Sequence, residues 1–296
     1  MRALLLIYRI FGRIGFRLIL YPVMGYYFLM KKEARASSGQ YIRRVVTFLV
    51  PEQRGSLSSF SHFLQFGEML LDKFLVWMGH IKREDVVFET PAVIEMIEGK
   101  QEGGIIVVSH LGNIEICSAL AHQIPNIRLT ILVHTRHAVK FNSLINKVNR
   151  FDHVEMLQVT DMSPATAMIL SERVAAGEYV VIAGDRTPVT GMERISMVDF
   201  LGAAAPMPQG AFILAGLLKC PVYLMFCIKQ QARYSIYIEQ FTERFALPRK
   251  ERAQVLDSAV QEYAKRLQHY CLKAPLQWFN FYPFWGDVPA KGIVSG

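Results

Sequence analysis

The chain has 296 residues, 52% hydrophobic and only 20% charged, with a net charge of +8. That length buries a substantial core, and the composition reads as one catalytic domain with an N-terminal appendage, greasy for a soluble enzyme. Four dispersed cysteines (Cys117, Cys220, Cys227, Cys271) without a C-x-x-C pair exclude a zinc-ribbon or disulfide framework and fit reduced thiols. The positive charge asks for an anionic membrane surface or an acidic carrier protein. Nucleic acid is set aside, because the basic residues gather at the N-terminus and no nucleic-acid motif is present.

Ala3 to Met30 is apolar and aromatic but is crossed by Arg9, Arg13 and Arg17, whose spacing of four draws a basic stripe along one helix face. The uncharged stretch Leu18 to Met30 holds 13 residues, with Pro22 and Gly25 among them, short of the roughly 20 that a membrane span needs. Arginines inside the apolar run and the lack of a small-residue cleavage site argue against a signal peptide. The pattern predicts an in-plane amphipathic helix whose arginines, with Lys31, Lys32, Arg35, Arg43 and Arg44, meet anionic lipid; a tilted single-pass anchor is the alternative. Lys31 to Gly39 reads as a hinge, which divides the chain into an anchoring segment, 1–38, and a catalytic domain, 39–296.

Helical spacing follows over Tyr41 to Val50 and Ser56 to Met78, separated by Pro51 and Gly55. From there strand-like and helical stretches alternate. The strands are Val86 to Phe88, Ile105 to Ser109, Leu129 to Val133, Val154 to Leu157, Tyr179 to Ala183 and Val222 to Ile228. The helices are Ala92 to Gly99, Ile114 to His122, Val139 to Arg150, Pro164 to Ala176 and Pro208 to Leu218. Tyr234 to Gln240 reads as an added antiparallel strand, and Arg249 to Leu272 as a terminal helix. The alternation predicts an α/β fold with a mostly parallel central sheet flanked by helices.

Four segments converge on one edge of such a sheet, where open α/β folds carry their chemistry. His110 follows the first long strand, and Glu115 comes five positions later in the first turn of a helix. An imidazole titrates near neutral pH, and a carboxylate beside it fixes its tautomer and stabilises its charged form, which suits deprotonating a hydroxyl. The second segment holds His134, Arg136, His137, Lys140 and Asn142, a group fitted to phosphate or a carrier arm. Asp185 and Arg186 follow the third strand end, where a charged pair has no core role. The fourth runs from Val198 through Gly202 and Ala203 to Pro208, a small-residue loop leading into a helix, whose backbone N–H groups would suit an oxyanion.

His110-x4-Glu115 resembles the H-x4-D/E signature of the glycerolipid and lysophospholipid acyltransferase superfamily. The order of blocks resembles its bacterial lipid A late-acyltransferase branch over nearly the full length. These blocks are the membrane-attached N-terminus, the histidine box, Arg136 and Asn142, Asp185-Arg186, Phe200-Leu201-Gly202 to Pro208, and Ala274-Pro275-Leu276-Gln277-Trp278-Phe279. The chain departs from the branch at Gly184-Asp185-Arg186 and at Asn280-Phe281-Tyr282, which leaves the acceptor open between lipid A and another lipid or glycolipid.

The resemblance implies a membrane-associated acyltransferase on the cytoplasmic face of the bacterial inner membrane. It would move a fatty or polyene acyl chain from acyl carrier protein or acyl-CoA to a hydroxyl of a lipid or glycolipid acceptor. His110 would be the general base and Glu115 its partner. Asn113, Arg136, Asn142, Asp185, Arg186 and Gly202 would bind substrate. No metal or redox cofactor is implied, the acyl thioester being a co-substrate. A non-catalytic lipid-binding scaffold and a lipid hydrolase are the rival readings, although the chain has no Gly-x-Ser-x-Gly elbow.

Overall fold

A computed structural model of the chain describes residues 2–99, 102–120, 127–133, 154–158, 163–186, 194–231 and 233–286. Three helices open it: α1 (Arg2–Met30), α2 (Lys32–Phe48) and α3 (Ser59–Trp77). Alternation follows with β1 (Val86–Phe88), α4 (Pro91–Glu98), β2 (Gly104–Val108), α5 (Ile114–Leu120), β3 (Leu129–Val133), β4 (Val154–Gln158), α6 (Pro164–Ala175) and β5 (Tyr179–Ala183). The chain then forms β6 (Ile195–Phe200), β7 (Ala203–Pro208), α7 (Gly210–Leu218), β8 (Val222–Gln230), β9 (Arg233–Thr242) and α8 (Arg252–Lys273).

The central sheet runs in the order β1-β9-β8-β2-β5-β3-β4. Pairing is parallel from β8 through β2, β5 and β3 to β4, while β9 runs antiparallel to β8 and parallel to β1. The middle strands are continuous hydrophobic runs because helices cover both of their faces. Side chains alternate accordingly. Ile105, Val107 and Val180 join a core with α7 and α8, whereas Ile106, Val108 and Val181 join a second core with α1 and α3.

Two expected connectors are ordered elements. Residues 31–39, read as a hinge, lie largely in α2, which runs unbroken to Phe48. The loop expected over 198–208 is an antiparallel hairpin of β6 and β7 that packs on α8; its turn is made by Leu201 and Gly202, both at positive φ.

The N-terminal helix forms as expected but turns the other way. It breaks at Gly12 (φ 62°, ψ −155°), a conformation open to glycine alone without strain. Phe16, Leu20 and Met24 enter the core, with Leu20 seated over Gly67 of α3, where a side chain would collide with it. Arg13 binds the carboxylates of Asp72 and Glu68, and Arg17 binds Glu68 at 2.6 Å. These two arginines therefore face acids of the protein rather than lipid. The opposite face exposes Ile14, Leu18, Tyr26, Leu29 and Met30, with Leu18 72% accessible. Among the described residues no helix is long and apolar enough to cross a membrane.

Candidate active site

The register of the two central strands builds the site. Val108 of β2 pairs with Ala183 of β5, and each strand ends there, so the residues two positions beyond each partner emerge side by side. Those residues are His110 and Asp185. Asp185 Oδ1 lies 2.8 Å from His110 Nδ1, and its Oδ2 accepts the His110 backbone N–H at 2.7 Å. Trp278 Nε1–H donates to the same Oδ2 at 2.9 Å. Asp185 is 1% accessible, whereas the His110 side chain is 38% accessible, so a buried anchor holds an imidazole that reaches solvent.

The electrostatics follow from this packing. The charge of Asp185 raises the His110 imidazole above its ordinary value, against the opposing effect of burial. Burial alone would push the Asp185 carboxyl up, but the His110 charge and the hydrogen bonds from His110 and Trp278 outweigh it and hold the carboxyl below its usual range. With Nδ1–H donated to Asp185, Nε2 carries the free lone pair.

The loop between β2 and α5 is clamped by the segment that follows α8. Gly112 (φ 70°) turns so close to Cys227 that a Cβ would overlap the Cys227 carbonyl. Its N–H donates to the Gln277 carbonyl at 2.8 Å, while Asn113 N–H donates to Cys227 O and Phe279 N–H to His110 O, each at 2.9 Å. The Gln277 side chain staples both backbone groups of Lys229, at 2.8 and 2.7 Å. Trp278, wholly buried, packs against Tyr41, Phe200 and Phe284.

Glu115, expected to hold the imidazole, is bound instead by the Lys73 ammonium of α3. Its place in the first turn of α5 points it toward α3, and it acts on His110 only as the weakest of the charges that raise the imidazole. Asn113 is buried between the two. With its amide turned so that both ends are satisfied, its nitrogen donates to Glu115 Oε2 at 3.0 Å. Arg186 is exposed beside Asp185, with its guanidinium 5.4 Å from the Tyr282 ring centre. Gly202, expected near an oxyanion, serves the hairpin turn and faces Phe48. Arg136 and Asn142, with His134, His137 and Lys140, lie outside the described residues.

Sequence reasoning had Asp185 as a substrate ligand and missed it as the imidazole's partner; Lys73, Gln277 and the indole of Trp278 were missed as supports. The Pro-x-Gln-Trp segment was the visible signal for the last two. Among the described residues no group of three or more potential ligands could hold a metal ion.

A base held by a buried carboxylate at the carboxyl edge of a parallel sheet is equipped to activate a hydroxyl. No curated protein matches the sequence. Residues 63–286, from α3 through the segment that clamps the histidine loop, match the model of the bacterial lipid A biosynthesis acyltransferases, and the chain belongs to that family.

Proposed function

We propose that this acyltransferase moves an acyl chain from the thioester of acyl carrier protein or coenzyme A to a hydroxyl of a lipid A-like glycolipid at the inner-membrane surface. His110 is the general base, and Asp185, in place of Glu115, is the residue that orients it. The observation that carries this reading is the pair of hydrogen bonds from His110 to one buried carboxylate. They fix the tautomer with Nε2 unprotonated and stabilise the imidazolium that forms.

In the reaction the acceptor hydroxyl gives its proton to His110 Nε2 as its oxygen attacks the thioester carbonyl carbon. The carbon–sulfur bond then breaks, and the departing thiolate takes the proton back from the imidazolium. Asp185 stays ionised throughout. Arg186, exposed at the rim, meets an anionic group of donor or acceptor. The exposed apolar face of α1 keeps the mouth of the site at the lipid surface.

The test is acyl transfer by the purified full-length protein from acyl carrier protein and CoA thioesters to bacterial glycolipid, read by mass spectrometry. His110→Ala loses transfer while remaining folded. Full activity in that variant would overturn the assignment.

A further inference from the structure

An apolar cavity lies on the α4 and α5 side of the sheet and offers about 580 Å³ of space, counting its mouth. Phe88, Ile106, Leu129 and Ile236 line it across strands β1, β2, β3 and β9. Cys117, two residues past Glu115 on α5, and Tyr179, the first residue of β5, also line it. Tyr179 is 3% accessible, and its hydroxyl is fully buried without a hydrogen-bond partner. Its aromatic neighbour Tyr223 meets it edge-on, 6.0 Å between ring centres.

A buried hydroxyl without a partner is costly, and a plain hydrocarbon slot would be lined better by phenylalanine. Burial pushes the phenol's pKa up, so it stays neutral and both donates and accepts. We infer that this cavity receives the far end of the transferred chain and that Tyr179 selects chains bearing an oxygen there.

The register sets which end. Tyr179 pairs with Gly104, six residues before His110, which at about 3.3 Å per residue puts the Tyr179 backbone about 20 Å along the strand direction from that of His110. An oxygen near the thioester cannot reach it; an ω-hydroxyl or a phenolic terminus can. The chain's identity as a transferred group rests on the proposed acyl transfer, whereas the cavity's preference does not.

The experiment uses the full-length protein in lipid nanodiscs with hexadecanoic, β-hydroxyhexadecanoic and ω-hydroxyhexadecanoic acids. Cys117, half-buried in the cavity wall while the other three cysteines are buried, reports occupancy through protection from N-ethylmaleimide, read by peptide mass. The ω-hydroxy acid protects at about tenfold lower concentration than the other two, as one added hydrogen bond implies, and Tyr179→Phe erases the ratio. The variant removes only an unpartnered atom and folds like the parent. Equal protection by all three acids, a ratio that survives in Tyr179→Phe, or no protection at all overturns the inference. Acyl transfer measured on the same parent protein separates the two readings. Selective protection in a parent that transfers from no thioester refutes the transfer and upholds the cavity, whereas transfer without selectivity does the reverse.

Discussion

His62 should make this fold acid-sensitive. Its ring is wholly buried between α2 and the C-terminal segment, with Nε2 bonded to the Trp278 carbonyl and Nδ1 to Ser38 Oγ, both at 3.0 Å. A carbonyl only accepts, so Nε2 carries the proton and Nδ1 accepts from Ser38, which in turn accepts from Ser59. A second proton has no place in this wire, and burial drives the pKa down from 6.5 to about 4. In the unfolded chain the ring protonates below 6.5, while the folded protein keeps it neutral. The stability it contributes is therefore complete above 6.5 and is lost as pH falls toward 4. At about 1.4 kcal/mol for each tenfold change in proton affinity, the loss is about 3 kcal/mol. His110 does not obscure it. Its raised pKa gives stability that is fully present below 6.5 and is lost only as pH rises through the folded value. Asp185, with its lowered pKa, loses its contribution only below about its ordinary 3.8. The assay is urea unfolding at stepped pH for the parent and His62→Phe. The variant is less stable at neutral pH, and the gap closes by about 3 kcal/mol on acidification. A gap that stays constant across that range would refute the reasoning.

Asp185→Asn lowers kcat/KM by about 10² to 10⁴-fold and moves the acid limb of the pH profile to lower pH, because the charge that raises His110 is gone. An unmoved limb would remove Asp185 from its role. Glu115→Gln leaves that limb near the parent's, since Glu115 bonds Lys73 and not the imidazole; a shift as large as that of Asp185→Asn would restore Glu115 as the partner. Gly112→Ala forces a side chain into the Cys227 carbonyl at positive φ, costs about 1–3 kcal/mol in urea unfolding and abolishes transfer; parent-like unfolding would contradict the tight approach. Flotation with neutral phosphatidylcholine vesicles retains the protein in about 1 M salt, where charges are screened within about 3 Å, and Leu18→Glu releases it. Release of the parent by salt would instead mean that charge, not the apolar face, carries the attachment.

The strands that lie in the middle of the sheet were legible from sequence. Tyr179–Ala183 begins and ends where its hydrophobic run does, and Leu129–Val133 is interrupted only by Thr130, whose buried hydroxyl is held by Glu178 and Arg173. Which strand lies beside which is not written in any local run. Asp185 meets His110 only because β5 neighbours β2 in register, across a sequence separation of 75 residues. The β6–β7 hairpin escaped notice because Pro206 and Pro208 suggest a break, yet a two-stranded ribbon leaves one side of each strand unpaired and tolerates them. The arginine stripe is legible in the sequence, but its direction is not. Glu68 and Asp72 on α3 repeat the spacing of Arg13 and Arg17, and matching intervals of four on two helices are a pairing signal that charge counting overlooks.

The clamp formed by Gln277, Trp278 and Phe279 has a consequence for how the enzyme comes into being. A ribosome that has delivered the strands leading to His110 and Asp185 has still to make α8 and this short segment. Until that segment emerges, the indole that tethers the acid and the carbonyl that tethers the glycine turn are missing. Nascent chains and fragments ending before Gln277 thus carry a finished scaffold around an incomplete histidine loop, which is completed only when this segment is made.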